Sequence, residues 1–124
     1  MNIQLFSTVS NKDYIGYTTD KGVKSIVNFL GLRIPEVSKA VGLSKQSIRY
    51  DERMPYELHE RLAEIGNIIN LTASFFYGDL NKTSLWFKTK NPLLGDISPR
   101  EMICYGRYDN LRKFILNAIA ENKG

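Results

Sequence analysis

Apolar residues recur at helical spacing in three long stretches of the chain. In the first stretch they follow i, i+3, i+4 and i+7: Val23, Ile26, Val27 and Leu30. In the second, steps of four and three alternate: Leu58, Leu62, Ile65, Ile69, Thr72 and Phe76. The last stretch lies near the C-terminus: Leu111, Phe114, Ile115, Ala118 and Ile119. Stripes of this period mark the buried face of amphipathic helices, so the sequence predicts an all-α fold of roughly seven helices.

The sequence also carries signals for the ends of these helices. Asp20 is predicted to begin the first helix, and Gly31 is predicted to end it. Gly78 is predicted to close the long second stretch, and Asp79 to cap the next helix. Residues 1–19 alternate only weakly in polarity, which fits either an arm or a short strand with a loop.

Residues 34–50 have the pattern of a helix-turn-helix. Pro35 suits a helix start, and Gly42 suits a sharp corner that needs a positive φ. Ser44 is then predicted to cap a second helix, which Ile48 anchors in the core. The segment resembles the Xre-type DNA-binding domain, whose second helix would enter the major groove.

The predicted second helix carries side chains suited to reading DNA. Between Lys39 and Tyr50 the chain has three cations and no acid. An amide or guanidinium group can form two hydrogen bonds to one base edge, while hydroxyl and ammonium groups bind phosphates. Helical spacing places these groups mainly on one face, and the predicted DNA contacts are Ser44, Lys45, Gln46, Ser47, Arg49, Tyr50 and Arg53. The open alternative is an ordinary solvated polar face.

Residues 91–101 predict a helix stop, a tight corner and a new helix. Pro92 disfavours a helix at the residue before it, and Gly95 is free to take the positive φ of a turn. Ser98 has the properties of an N-cap, and Glu101 those of its capping-box partner three positions later.

Apolar residues in and around this corner predict that it packs against the rest of the protein. Leu93 and Leu94 lie inside an otherwise polar loop. Trp86 precedes the helix break, and Pro99 opens the new helix. We expect Trp86, Leu94 and Pro99 to be structural rather than contact residues.

The same corner carries a family resemblance. Residues 89–99, with Trp86 upstream and Met102-Ile103 downstream, resemble the signature of the Xre/MbcA/ParS toxin-binding domain. That domain forms the C-terminal part of antitoxins from bacterial toxin–antitoxin pairs. Lys90 stands where a proline is common in that signature, and Ile97 where a polar residue is common.

The resemblance implies a function and a division of the chain. It implies an arm over residues 1–20, an Xre-like helix-turn-helix domain over 21–78 and a toxin-binding domain over 79–124. The implied protein is a cytoplasmic, homodimeric antitoxin that represses its own operon and neutralises a cognate toxin by steric occlusion. Toxins paired with this domain are often NAD-consuming enzymes of the RES type. The candidate toxin contacts are polar groups around the corner and the last helix: Asp96, Arg100, Arg107, Tyr108 and Arg112.

Two other classes of protein fit the sequence. One is a stand-alone helix-turn-helix transcription regulator whose C-terminal part only dimerises. The sequence at residues 48–53 also resembles MerR-type recognition helices, although the long coiled coil expected after them is missing. The other is a protein-interaction adaptor whose helix pair does not bind DNA.

Composition and candidate chemistry change this picture little. The net charge of +4 tolerates an anionic partner without demanding one. The single cysteine, Cys104, suits a reducing cytosol, and no apolar run is long enough to span a membrane. His59 is the only histidine, and the spacing does not indicate a catalytic pair with Cys104 or a metal-ligand cluster. The sequence therefore predicts a protein that is not an enzyme and needs no cofactor or metal.

Overall fold

The structure is a computed structural model that describes residues 20–122. Six α-helices form there: α1 (Asp20–Leu30), α2 (Ile34–Val41), α3 (Tyr56–Phe75), α4 (Leu80–Lys88), α5 (Pro99–Cys104) and α6 (Tyr108–Asn122). Two short 3₁₀ turns accompany them, Lys45–Ser47 and Pro92–Leu94. No strand forms in the described range, where an isolated bridge joins Asn91 and Ile97. The predicted all-α class is confirmed, whereas the predicted arm lies outside the described residues except for Asp20.

Helix α3 is the centre of the fold. It packs against α1, α2, α4 and α6, so helices surround it on more than one side. Its fully buried apolar side chains are Leu58, Leu62, Ile65, Ile68, Ile69 and Ala73. In a protein this small, a helix that supplies the core is expected to contact several other helices. Each neighbouring helix then buries a further part of the surface of the central helix.

The apolar core runs without a break from the first described helix to the last. Val23 and Leu30 of α1 belong to the same cluster as Phe87 of α4, Ile103 of α5 and Leu111 of α6. The division predicted between residues 78 and 79 does not interrupt this core, although the domain boundaries themselves stay a prediction. Destabilising the C-terminal helices is therefore expected to destabilise the N-terminal ones.

Most of the predicted helix ends are confirmed. Gly42 follows α2 with a φ of 70°, and its N–H donates a hydrogen bond to the carbonyl of Ser38. A residue with a β-carbon is strained at this φ, which is why glycine fits here. At the start of α4, the Asp79 carboxylate accepts a 3.0 Å hydrogen bond from the Lys82 N–H. These ends orient α2 and α4 before any long-range contact acts.

Asn70 of α3 carries a buried side-chain amide. Within the described part of the chain, neither its Nδ2 nor its Oδ1 has a hydrogen-bond partner. A buried amide without partners costs about 1–3 kcal/mol of desolvation. We expect Asn70→Leu to raise the free energy of unfolding by about 1–2 kcal/mol in urea denaturation. The same change at Asn81, which is exposed on α4, is the matched control and should have little effect. A less stable Asn70→Leu protein would show that the amide has a partner.

Candidate protein-binding and DNA-binding surfaces

The predicted recognition helix is wrong. Only the 3₁₀ turn Lys45–Ser47 follows the corner, and residues 48–55 contain no helix. Ser44 occupies the N-cap position, but its hydroxyl lies 2.9 Å from the Ser47 hydroxyl and caps no backbone N–H. Ile48 adopts an extended conformation with φ −83° and ψ 93°. The helix-turn-helix therefore ends after its first helix and its turn.

A local side-chain motif explains why the helix does not continue. The Asp51 carboxylate accepts a 3.0 Å hydrogen bond from the Arg53 N–H, two residues on. It also accepts two bonds from the Arg49 guanidinium, at 2.8 Å and 2.6 Å. Aspartate bonded to its own local backbone competes with helix formation. Pro55 follows soon afterwards and disfavours helix at Met54.

This motif also changes the charges available for DNA. The guanidinium of Arg49 lowers the pKa of Asp51, and the carboxylate in turn raises the pKa of Arg49. Both side chains are about half exposed, so the pair is a surface ion pair that contributes little to stability. Arg49 is thus partly neutralised without being locked in place.

The other predicted DNA contacts divide into exposed and packed residues. Lys45 and Gln46 are exposed, as is Arg53, and Ser44 stands exposed beside the partly buried Ser47. Tyr50 is packed against the core, where burial raises its pKa. The ammonium of Lys24 lies 5.8 Å from the centre of its ring. We therefore assign Tyr50 to anchoring this segment, because a ring held this way is not free to read bases.

The corner after α4 is built as the sequence predicts. Asn91 caps the second 3₁₀ turn by accepting a 2.9 Å bond from the Leu93 N–H, and Gly95 follows with a φ of 83°. The Ser98 hydroxyl accepts a 3.0 Å bond from the Glu101 N–H. The Glu101 carboxylate accepts a hydrogen bond of the same length from the Ser98 N–H, and this bond lowers the pKa of Glu101. The capping box at α5 is confirmed.

The apolar residues of the corner are only partly as predicted. Pro99 is buried, and Leu94 and Trp86 pack partly buried against the core, as expected of structural residues. Leu93 instead points outward, with 78% of its surface exposed. A 3₁₀ turn has about three residues per turn, so adjacent residues such as Leu93 and Leu94 point in directions about 120° apart. Only one of the two leucines can then face the core.

The Arg100 side chain is only 23% exposed, less than we expect of a toxin contact. Its Nε donates a 2.6 Å hydrogen bond to the carbonyl of Leu30, and one Nη donates at 2.8 Å to the carbonyl of Gly31. The same nitrogen lies 3.2 Å from both carboxylate oxygens of Glu36. These bonds occupy the guanidinium and tie the start of α5 to the α1–α2 junction. Arg100 is thus a structural residue.

Tyr108 is also engaged inside the protein. Its hydroxyl lies 3.1 Å from a carboxylate oxygen of Glu64 and donates to it, which links α6 to α3. Burial and this carboxylate raise the pKa of Tyr108 to about 12. A partner protein would have to break this bond to use the hydroxyl.

The remaining candidates stay available for a partner. Asp96 is exposed and adopts a positive φ of 64°, a conformation that aspartate tolerates better than most residues. Arg107 is exposed at the turn before α6. Arg112 forms a 2.9 Å ion pair with Asp109, and both side chains remain substantially exposed. Their role in binding a toxin stays a prediction.

One surface was not predicted from the sequence. Four large apolar side chains stand exposed on α4 and its two flanking turns: Tyr77 (68%), Leu80 (51%), Leu85 (67%) and Leu93 (78%). Half of the large apolar side chains exposed in the described part of the chain lie on this segment, which we call the α4 surface. A leucine outside the buried stripe of its helix, as at position 85, is the signal that would have identified it.

Cys104 and His59 are both partly buried. Burial raises the pKa of the Cys104 thiol, which disfavours a reactive thiolate. His59 is partly buried rather than facing water as predicted. Within residues 20–122, no three potential metal ligands come together. No helix in that range is long and apolar enough to cross a membrane.

Comparisons of this chain with protein-family models, with curated proteins and with solved structures give no match. The resemblance carried by the corner at residues 89–99 therefore stays a prediction. The function has to be argued from the surfaces described above.

Proposed function

We propose that this chain is an antitoxin that binds a cognate toxin through its C-terminal third and occludes it sterically. The observation that supports this function best is the α4 surface. Single exposed apolar residues are normal on any protein, whereas contiguous apolar patches mark interaction sites, and this segment holds half of the exposed large apolar side chains in the described part of the chain. Steric occlusion needs a stable, shaped surface and no reactive group, which suits the residues present.

The rigidity of the segment supports the same proposal. Asp79 caps α4 at its start, and the capping box of α5 fixes the far side of the corner. Arg100 then holds α5 against the α1–α2 junction. A surface held in its bound shape loses little conformational entropy on binding, so more of the contact energy appears as affinity.

Co-expression tests the proposal. We expect the product of the adjacent reading frame to arrest growth alone, and growth to recover when this full-length chain is expressed with it. We expect Leu93→Ser to reduce the rescue, because Leu93 contributes the most exposed apolar side chain of the α4 surface. Ile34→Ser, at an exposed isoleucine of α2 outside the C-terminal third, is the matched control. An adjacent product that is harmless, or toxic but not rescued, would contradict the proposal.

Operator DNA is the second partner that we propose, with the chain acting as a homodimeric repressor. Its support is the exposed segment at residues 45–53, where three cations, Lys45, Arg49 and Arg53, outnumber two acids, Asp51 and Glu52. Because no helix forms there, contact with DNA would be made by an irregular loop. Such a loop places cations near phosphates more readily than it aligns them with base edges, so we expect weaker sequence specificity than the sequence analysis implies.

The Arg49–Asp51 pair gives this second function a sharp test. We expect Asp51→Asn to tighten binding to the chain's own promoter DNA by about two- to fivefold, since it frees the guanidinium and removes a negative charge. Arg49→Ala should weaken binding, and Lys45→Ala should lower the slope of affinity against salt by about one unit. Fluorescence anisotropy over a salt series measures all three. Equal affinities for wild type and all three variants would exclude this segment as the DNA-binding surface.

A further inference from the structure

The outward face of α4 combines one leucine with two lysines. Thr83 and Phe87 are fully buried and define the inward side of this helix. At 100° per residue, Lys82, Leu85 and Lys88 lie on the opposite side, with each lysine three positions from the leucine. Leu85 is 67% exposed, and both lysines are exposed. We call these three residues the α4 docking face.

The charge on this face is uncompensated. The sequence has no acidic residue between Leu80 and Gly95, although it has a third lysine there, Lys90. In the described part of the chain, neither Lys82 nor Lys88 forms an ion pair, whereas most of the ion pairs present join residues close together on other helices. The face is therefore an apolar projection flanked by two free positive charges.

We propose that the α4 docking face binds an acidic surface of a partner protein, with Leu85 entering an apolar pocket and the two lysines pairing with carboxylates at its rim. This inference rests on the proposed function and specifies the chemistry of the partner. An apolar centre with a charged rim is the usual arrangement of a protein interface. Complementary charge at the rim speeds association and selects the partner.

The geometry favours a protein over the other anionic partners. Membrane-surface helices need a broad apolar face, whereas the outward face of α4 has a single leucine between two lysines and the aromatic rings of the helix are turned into the core, Phe87 completely and Trp86 in part. Single-stranded nucleic acid is held by exposed aromatic rings on which bases stack, and the outward face of α4 has none. A leucine between two lysines adds apolar contact, which a row of phosphates does not use.

Photo-crosslinking of the full-length chain in its own cells tests which partner covers the face. The photoreactive residue p-benzoylphenylalanine replaces Leu85 in one protein and Ile34, the exposed isoleucine of α2, in the control. We expect a protein adduct from position 85 that is absent from position 34. Adducts to a second copy of this chain, to nucleic acid or to lipid, or no adduct at all, would overturn the inference.

Charge reversal then tests the chemistry of the partner. The crosslinked protein is purified, and its affinity for the chain is measured by calorimetry at 50 and 300 mM salt. We expect the double variant Lys82→Glu/Lys88→Glu and the variant Leu85→Ser each to bind at least tenfold more weakly, and wild-type affinity to fall with salt. Ile34→Ser should bind as wild type does. Unchanged affinity in the double variant would overturn the acidic partner, and circular dichroism checks that each variant is folded.

The two proposals fail in different ways. If the adjacent product is toxic and rescued but never crosslinks to position 85, the antitoxin function stands and the docking face is wrong. If the adduct is another protein that meets the charge-reversal criterion while the adjacent product is harmless, the docking face stands and the antitoxin function is wrong.

Discussion

Replacing Phe87 with alanine is expected to lower the free energy of unfolding by about 3–5 kcal/mol. Its ring is completely buried and makes edge-on contacts with Phe29 of α1, at 6.3 Å, and with its neighbour Trp86, at 5.2 Å between ring centres. Truncation removes apolar burial and leaves a cavity between α1 and α4. Small domains have about 5–15 kcal/mol in total, so the variant should melt far below wild type or fail to fold.

Trp86→Ala is the comparison that makes this test specific. The sequence analysis assigned the structural role to Trp86, but the structure leaves that ring partly exposed and buries Phe87 instead. We therefore expect the tryptophan variant to lose less than the phenylalanine variant, although a tryptophan is larger. Urea denaturation followed by circular dichroism measures both. A greater loss of unfolding free energy from Trp86→Ala would mean that Trp86, and not Phe87, contributes more to the core.

Features set by near neighbours in the chain were predictable. A capping box needs only residues three positions apart, so Ser98 and Glu101 identify it without the fold. The same holds for Asp79 at α4 and for the glycine corner after α2, whose positive φ is a local requirement. The stripe on α3 identified a core helix because burial leaves a period in the sequence.

Features set by competition or by distant contacts were not predictable. Residues 44–53 have helical spacing, but Asp51 binds its own local backbone and Arg49, and this small local preference outweighs a helix with few core contacts. The choice between the rings of Trp86 and Phe87 depends on how α4 rotates against α1, which its own sequence does not determine. The role of Arg100 depends on carbonyls some 70 residues earlier in the chain.

Arg100→Met is the second change from which we expect a large loss, about 2–4 kcal/mol of unfolding free energy. It leaves the carbonyls of Leu30 and Gly31 without these donors and leaves Glu36 with less compensation for its negative charge. The Arg100 side chain is 23% exposed and the Glu36 side chain 25%, so this pair is less exposed than the Arg112–Asp109 pair and solvent screens it less. Methionine keeps most of the side-chain volume, so the loss measures the hydrogen bonds and charge rather than a cavity.

Acid titration separates the charge from the packing. The Arg33 N–H first, and then Arg100, hold the pKa of Glu36 below its usual value. A lowered pKa contributes stability that is complete above the unfolded value near 4.5 and is lost as pH falls through the folded pKa. Wild type should therefore lose stability in acid more steeply than Arg100→Met. The gap between the two proteins should be widest near pH 7 and should narrow as the pH falls below 4.5 and Glu36 takes up its proton.

Arg112→Met provides the control, because it removes an arginine from an exposed ion pair with Asp109. Exposed pairs of this kind contribute little, so we expect a change within about 0.5 kcal/mol at pH 7. Urea denaturation of the three proteins at pH 7, 5 and 3 supplies the comparison. If Arg100→Met unfolds like Arg112→Met at pH 7, α5 is held at the α1–α2 junction by apolar packing alone. A difference of several kcal/mol between wild type and Arg100→Met that does not change with pH would instead assign the stabilisation to the two hydrogen bonds to carbonyls. Glu36 would then contribute nothing to it.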